Sequence, residues 1–176
     1  MHTLTVWVAQ YLLWLMAAGY LLVWLFEEDR RGRVQFAVQT VVGVVLAVGL
    51  LYIAKSVHHD PRPFVQNPRI TPWFHHGADD GFPSDHSLGA AVLATLMIWR
   101  HRIVGAAMVV GALLIGWARV AAHVHHAQDV IAGLLLGALA AVLAHAVLAL
   151  IRMWRRRDRS EPKPSVARPE TGSMQS

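Results

Sequence analysis

Three long runs of residues without a single Asp, Glu, Lys or Arg constrain the fold of this chain more than any other feature. They cover residues 6–26, 34–54 and 130–150, and each is 21 residues long. At about 1.5 Å of rise per residue, a helix of that length covers the roughly 30 Å hydrocarbon core of a bilayer. The chain is therefore predicted to be an integral membrane protein, in keeping with its 55% hydrophobic composition.

Two shorter apolar runs, residues 88–99 and 103–117, lie between the second and third long runs and are separated by Arg100-His101-Arg102. Twelve helical residues reach only about 18 Å. The first short run must therefore begin below the membrane surface or include residues 84–87. The first long run lacks the basic start and small-residue cleavage site of a removable signal peptide. We predict an all-α fold, an integral membrane helical bundle with about five transmembrane helices.

The arginines are clustered where the apolar runs end. The clusters are Arg30, Arg31 and Arg33 after the first run, Arg100 and Arg102 after the third, and Arg152, Arg155, Arg156, Arg157 and Arg159 after the fifth. With five spans, all three clusters fall on one side, and short Arg-rich segments remain in the cytoplasm. This topology accounts for the net charge of +5, so no nucleic-acid partner is predicted.

The chain is predicted to contain one membrane domain, residues 1–154, with an outer loop at 55–87. The loop holds five prolines and no long apolar run, which suggests a functional loop. Residues 155–176 are predicted to form a basic, disordered cytoplasmic tail, because the composition shifts there to Arg and then to Ser, Pro, Glu and Lys. The absence of cysteine excludes disulfides and thiolate chemistry.

Three polar segments, residues 55–62, 83–86 and 119–129, interrupt the hydrophobic chain near the predicted outer face. Charged groups beside apolar spans are costly, and the default reason for keeping them is a functional site. The residues concerned are five potential cations and one carboxylate, namely Lys55, Arg62, His86, Arg119, His125 and Asp129. Such a set suits a polyanion, and phosphate is the obvious candidate.

The third segment contains a candidate catalytic pair. His125 and Asp129 are four residues apart, so on a helix they share a face and the carboxylate can hold one imidazole nitrogen. The other nitrogen would then be available as a nucleophile or base. The alternative is a helix-capping aspartate beside an interfacial histidine.

The first two segments supply candidate phosphate ligands. Ser84 and Asp85 have the pattern of a helix start, and the free amides of a helix N-terminus form a ready anion site. Lys55 and Arg62 together could form a phosphate clamp. The alternatives are an ordinary helix cap, a snorkelling lysine and a loop arginine.

These segments resemble the three-part signature of the type 2 phosphatidic acid phosphatase (PAP2) superfamily. That signature reads K-x6-R-P, then P-S-G-H, then S-R-x5-H-x3-D. The chain matches it with Lys55 through Arg62-Pro63, with Pro83-Ser84-Asp85-His86, and with Ala118-Arg119 followed by His125 and Asp129. Ala118 replaces the usual serine and Asp85 replaces the usual glycine. The P-S-D-H variant and the stretch from His75 to Asp79 resemble the bacterial undecaprenyl-diphosphatase branch.

The resemblance implies a mechanism and a set of roles. His125 would attack the terminal phosphorus, Asp129 would orient it, and His86 would protonate the departing oxygen. Lys55, Arg62, Arg119, Ser84 and Asp85, the last through its backbone amide, would bind the phosphoryl oxygens. The expected activity is hydrolysis of undecaprenyl diphosphate at the outer face of the bacterial inner membrane, which recycles the lipid carrier of cell-wall synthesis. No metal or cofactor and no obligate protein partner is expected.

Several alternatives remain open at this stage. The substrate could be phosphatidate or phosphatidylglycerophosphate, or the protein could bind or transport a lipid phosphate without turnover. His123, His125 and His126 could suggest a metal site or a metal transporter, but there is no cysteine and Asp129 is taken as the only nearby carboxylate. His75, His76 and Trp73 are predicted to lie at the rim of the substrate site.

Overall fold

The computed structural model describes residues 2–160, and these residues form an all-helical protein. The helices are α1 (His2–Leu25), α2 (Arg30–Val57), α3 (Pro63–Gln66), α4 (Asp85–Arg100), α5 (Arg102–Ala121) and α6 (Ala127–Ser160). Within the described range, the only β-type pairing is an isolated bridge between Pro61 and Asp80. The predicted all-α class is confirmed.

Four helices, α1, α2, α5 and α6, are long and apolar enough to span a bilayer. Helix α4 has 16 residues and is shorter than a typical span. It lies at the centre of the bundle, where Ala90 and Met97 are fully buried, and it packs most extensively against α5 and α6. The bundle therefore consists of four long helices around a short central one, which refines the prediction of about five spans.

Helix α4 begins as its sequence predicts. Ser84 has an extended backbone and its side-chain oxygen accepts a hydrogen bond from the N–H of Ser87 at 3.4 Å, so Ser84 is the N-cap. Asp85 lies in the first turn, where a negative charge is favourable. The short apolar run thus includes residues 85–87, which was one of the two options that its length allowed.

Close packing of α6 against α4 joins the second and third polar segments. Gly133 and Gly137 face α4, and a Cβ atom at Gly133 would lie 2.6 Å from the backbone oxygen of Ser84. Because glycine has no side chain, the two backbones approach closely, as is typical of small residues spaced four apart on membrane helices. One result is a hydrogen bond from the N–H of Ser84 to the backbone oxygen of Asp129 at 3.0 Å.

The three polar segments lie at one end of the bundle and the Arg clusters lie at the other. Arg100 pairs with Glu27, with 2.9 Å between Nε and Oε2, and the indole of Trp24 donates to the backbone oxygen of Arg33 at 3.1 Å. Arg100 and Arg152 line the same cavity of about 600 Å³ between α2, α4 and α6. The five-span topology predicts this arrangement, in which all three Arg clusters lie at the same end of the bundle.

The boundaries of the loop and of the tail differ from the predicted ones. Helix α2 continues to Val57 and α4 begins at Asp85, so the connection covers residues 58–84 instead of 55–87. Helix α6 continues past residue 154 to Ser160, because the arginines that follow the apolar run are good helix formers. The rest of the predicted tail, residues 161–176, lies outside the described residues.

Candidate active site

The connection between α5 and α6 directs two side chains toward the interior of the protein. His123 has a backbone φ of 60°, in the left-handed region that reverses the chain direction. The N–H of Val124 then bonds to the backbone oxygen of Arg119 at 3.2 Å. Val124 and His125 are consequently buried, with 0% and 2% of their surface exposed.

His125 and Asp129 form a buried hydrogen-bonded pair. The imidazole Nδ1 of His125 lies 3.3 Å from Oδ2 of Asp129, and Asp129 is fully buried. The same Oδ2 accepts the backbone N–H of His126 at 2.9 Å, which fixes the carboxylate. Since an ionised carboxylate can only accept, Nδ1 of His125 carries the proton.

The other imidazole nitrogen of His125 faces two guanidinium groups. Arg62 Nη1 lies 3.1 Å from Nε2 and Arg119 Nη2 lies 3.2 Å from it. Both guanidinium groups can only donate, so Nε2 accepts and holds its lone pair. An oxyanion in front of this nitrogen would meet the same two donors.

The pKa of His125 is lowered from its ordinary value of 6.5. Burial is the main cause, and the charges of Arg119 and Arg62 act in the same direction, while the hydrogen bond to Asp129 opposes them. His125 is therefore neutral at pH 7, the protonation state in which Nε2 can act as a nucleophile.

Arg62 is held by groups on both sides. Its Nε donates to Oδ1 of Asp79 at 3.0 Å and its Nη1 donates to the backbone oxygen of Val124 at 2.8 Å. The hydrogen bond from Arg62 lowers the pKa of Asp79, so this carboxylate stays ionised at neutral pH. Arg62 is only 4% exposed and is therefore preorganised toward His125.

Arg119 is fixed by a different set of contacts. Its Nη1 donates to the backbone oxygen of Ala9 at 3.3 Å, and its Nη2 donates to Nε2 of His76 at 3.0 Å. The guanidinium also lies 5.8 Å from the ring centre of Phe74. Burial and the charges of Arg62 and Arg119 lower the pKa of His76 to about 4, so His76 is a neutral acceptor here.

A polar cavity of about 200 Å³ lies in front of His125. It is lined by the predicted Arg62, His76, Asp85, His86, Arg119 and His125, together with Asp79, Asp80 and Pro83. The fold thus brings all three polar segments to one small pocket. Its size suits a phosphoryl group better than a whole lipid.

Two of the predicted phosphate ligands do not line this cavity. Ser84 is fully buried, and its oxygen accepts from the hydroxyl of Ser87 at 3.1 Å, because it is engaged in capping α4. Lys55 lies beside the cavity, where its Nζ is 3.4 Å from Oδ1 of Asp85. The carboxylate of Asp85 therefore pairs with a nearby cation.

The predicted rim residues divide between the cavity and its surroundings. His76 lines the cavity, whereas His75 is exposed and does not. The Trp73 ring contacts that of His2 with 3.9 Å between ring centres and a tilt of 34°. The backbone N–H of Trp73 donates to the backbone oxygen of Ala122 at 3.1 Å. It lines a separate outer cleft next to the start of α1. Trp73 and His75 are therefore not part of the pocket around His125.

The prediction that Asp129 is the only carboxylate near the site is wrong. Asp79, Asp80 and Asp85 line the cavity, and Asp60 is buried behind it at 6% exposure. Asp60, His126 and Asp129 lie close enough together to hold a metal ion. Asp79 belongs to the stretch that resembles the undecaprenyl-diphosphatase branch, and this was the only signal for it. The loop that carries Asp60 has no periodicity from which its position could be derived.

The family assignment rests on a direct match. The model of the PAP2 superfamily matches residues 36–153. This chain belongs to the PAP2 superfamily. It is thus a multi-span PAP2 membrane lipid phosphatase, and the resemblance found in the three polar segments is confirmed.

Three bacterial proteins are similar to this chain in sequence. The chain is 29% identical over 154 residues to "Undecaprenyl-diphosphatase BcrC" of Bacillus subtilis, covering 86% of this chain and 77% of that protein. It is 31% identical to "Bacitracin transport permease protein BcrC" of Bacillus licheniformis, over 76% of this chain and 65% of the relative. It is 36% identical to "Putative undecaprenyl-diphosphatase YbjG" of Escherichia coli, over 60% of this chain and 54% of the relative.

Two solved PAP2 structures share the fold. LpxE of Aquifex aeolicus has a TM-score of 0.65 at 21% identity, covering 82% of this chain and 86% of LpxE. A transmembrane PAP2-type phosphatidylglycerolphosphate phosphatase of Bacillus subtilis has a TM-score of 0.56 at 21% identity, covering 85% of this chain and 77% of that one. At this identity the likeness concerns the fold alone.

Proposed function

We propose that this PAP2 phosphatase hydrolyses undecaprenyl diphosphate to undecaprenyl phosphate and inorganic phosphate, and so recycles a lipid carrier of cell-wall synthesis. The observation that carries the chemistry is the buried His125–Asp129 pair, whose Nε2 faces two guanidinium groups within 3.2 Å. The names of two relatives support the substrate, and so does the Lys55–Asp85 ion pair beside the cavity.

The first chemical step forms a phosphohistidine. Nε2 of His125 attacks the terminal phosphorus, and the bond from phosphorus to the bridging oxygen breaks. Burial and the charge of Arg119 lower the pKa of His86 to about 4 without substrate, so His86 takes up its proton as the anionic diphosphate binds beside it. It then gives that proton to the bridging oxygen, and undecaprenyl phosphate leaves. The Nδ1–H of His125 remains on its nitrogen, where Asp129 stabilises the positive charge that develops on the ring.

The second step returns the enzyme to its starting state. His86, now neutral, takes a proton from a water molecule as that water attacks the phosphohistidine, and the N–P bond breaks. Arg62 and Arg119 hold the equatorial oxygens in both steps. The fixed guanidinium groups supply the charge stabilisation that a magnesium ion supplies in many phosphoryl-transfer enzymes.

A lipid-phosphate transporter is the candidate from another functional class, since one relative is named as a transport permease. Binding and release of an anion do not need an oriented histidine nucleophile. The fully buried Asp129 behind His125 therefore favours catalysis. A monoester phosphatase remains the rival in the same class, because a structure with this fold is titled as a phosphatidylglycerolphosphate phosphatase.

Phosphate release by purified protein in detergent tests the proposed function. Undecaprenyl diphosphate, phosphatidate and phosphatidylglycerophosphate are compared, with and without EDTA. We expect the highest kcat/KM for the diphosphate and no loss of rate in EDTA, since no metal is needed in either step. A higher kcat/KM for a monoester would overturn the substrate assignment, and a rate lost in EDTA and restored by Mg²⁺ would overturn the mechanism.

In the proposed orientation, the cavity opens at the external face of the inner membrane. Reporter fusions after Arg31, Arg102 and Arg157 are expected to read as cytoplasmic, because Arg-rich short segments stay inside. A fusion between Asn67 and Thr71, in the loop that carries Arg62, is expected to read as external. A cytoplasmic signal from that loop would put the cavity on the opposite leaflet and contradict the proposal.

Asp85→Gly is expected to shift preference from the diphosphate toward monoesters. The Lys55–Asp85 pair is partly exposed, so its charges are worth about 1 kcal/mol or less, or roughly fivefold in rate. Without the carboxylate, the ammonium group of Lys55 can pair with the phosphate of a dianionic monoester held deep in the pocket. We expect the ratio of the two kcat/KM values to change by up to about fivefold.

Asp85→Asn is the matched control for that experiment, because it removes the charge while keeping the size of the side chain. It should shift the same ratio in the same direction. If neither variant changes the ratio, Asp85 is only a residue of the helix start, and it has no part in substrate selection.

A further inference from the structure

A second group of ligand-type side chains lies directly behind the catalytic pair. It consists of Asp60 from the loop after α2, His126 and Asp129, with one ligand atom of each within 4.8 Å of the others. The amides of Gln128 and Gln66 hold the Asp60 carboxylate, at 2.6 Å and 2.9 Å. Asp60 is 6% exposed and Asp129 is fully buried. Two carboxylates buried this close together require a compensating positive charge.

Two atoms of this group lack the partners that buried polar atoms normally have. Asp129 uses Oδ2 for both of its hydrogen bonds, to His125 and to the N–H of His126. Its Oδ1 is buried and has no hydrogen-bond partner among residues 2–160, and the same holds for Nδ1 of His126. That Nδ1 lies 3.0 Å from Oδ2 of Asp60 without hydrogen-bond geometry. An unmatched buried acceptor is costly, and a cation would satisfy it.

We propose that Asp60, His126 and Asp129 bind one divalent transition-metal ion of the zinc type. Two carboxylates and an imidazole are ligands that Zn²⁺ accepts, at roughly 2.0–2.2 Å. Nδ1 of His126 lies 3.0 Å from the Asp60 oxygen and 4.0 Å from the Asp129 oxygen. Such spacings are compatible with adjacent ligands of one ion. The glutamine amides that hold Asp60 supply the outer support that metal ligands normally have.

The ion would slow phosphate release, a consequence that rests on the proposed function. Asp129 is shared between the metal group and His125, and a bound cation draws the negative charge of the carboxylate toward itself. The carboxylate then becomes a weaker acceptor for Nδ1–H of His125 and stabilises the phosphohistidine less. Zinc therefore acts as an inhibitor at this position, whereas the two chemical steps need no metal.

Binding is tested without substrate on full-length protein purified without a histidine tag. Co²⁺ is the probe, because its visible absorption reports the coordination of the ion. Wild type is expected to bind one Co²⁺ at the site, and Asp60→Asn and His126→Gln are each expected to weaken that binding at least about tenfold. His101→Gln is the matched control, since His101 is exposed at the opposite end of the bundle, between α4 and α5, and should not matter. Thermal unfolding shows that each variant is folded.

A second arm measures turnover at increasing Zn²⁺, with each variant compared with its own metal-free rate. We expect wild type and His101→Gln to slow roughly tenfold or more, by analogy with the loss of other histidine–carboxylate pairs, and to recover in EDTA. His126→Gln should need at least about tenfold more Zn²⁺ for the same effect.

Wild type that does not bind Co²⁺, or folded Asp60→Asn and His126→Gln variants that bind it as wild type does, would overturn the site. Binding with unchanged turnover would overturn the inhibitory role, and binding without hydrolysis of any lipid would instead count against the proposed function.

Discussion

Replacing His125 with alanine is expected to abolish phosphate release to the background of the assay. The variant removes the only imidazole that combines a buried carboxylate partner with two guanidinium groups at its other nitrogen, among the residues that the structure describes. Proton donors and cations alone cannot replace a lost nucleophile in a two-step transfer. We expect less than about 1% of the wild-type rate, in line with losses seen when catalytic histidines are removed.

His123→Asn is the matched control for this variant, because asparagine tolerates the left-handed backbone at residue 123. It removes a histidine from the same connection between α5 and α6, but its side chain is exposed and it does not line the cavity. It should retain most of the wild-type rate. Retention of more than a few per cent by the His125 variant, with equal amounts of folded protein, would move the nucleophile to another residue.

Asp129→Asn is expected to reduce kcat by two to four orders of magnitude, roughly as in other enzymes whose catalytic histidine is oriented by a carboxylate. Asparagine keeps the volume of the side chain in a fully buried position, so the packing of α6 against α4 is preserved. The amide is neutral, and it neither fixes the Nδ1–H form of His125 nor offsets the charge of the phosphohistidine. KM should change much less than kcat, because Asp129 does not line the cavity.

Asp29→Asn is the matched control for Asp129→Asn, because it makes the same substitution far from the site. Asp29 caps α2 at the opposite end of the bundle through hydrogen bonds to the N–H groups of Arg31 and Gly32, and asparagine caps helices equally well. Its rate should therefore match that of wild type. A drop of less than about tenfold for Asp129→Asn would mean that the carboxylate only supports the fold, the alternative for an aspartate near a helix start.

The parts of the site that obey helical periodicity were predictable from the sequence. His125 and Asp129 are four residues apart, and the structure joins them at 3.3 Å. Ser84 was expected to start a helix, and it caps α4. Gly133 and Gly137 are four residues apart on α6, so they share the face that packs against α4 and brings Ser84 to the backbone of Asp129. Local spacing determined these relations, so no knowledge of the tertiary fold was needed.

The side chains of the loop after α2 could not be predicted in the same way. Asp79 anchors Arg62 from 17 positions away, and Asp60 meets Gln128 from 68 positions away. Such contacts depend on the path of an irregular loop, which no periodic pattern describes. The contact between Lys55 and Asp85 could not be predicted either. It depends on how far α2 and α4 are shifted relative to each other along their axes, which neither helix sequence determines alone.

The proposed mechanism depends most of all on a covalent phosphate on His125, and trapping that intermediate tests it directly. Protein in detergent is mixed with undecaprenyl diphosphate labelled in the terminal phosphate and is quenched in alkali within milliseconds to seconds, since phosphohistidine survives base and is lost in acid. We predict alkali-stable label on the peptide that contains His125 in wild type, and none in His125→Ala. Label on another residue, or a burst of free phosphate with no labelled protein at any quench time, would contradict the mechanism.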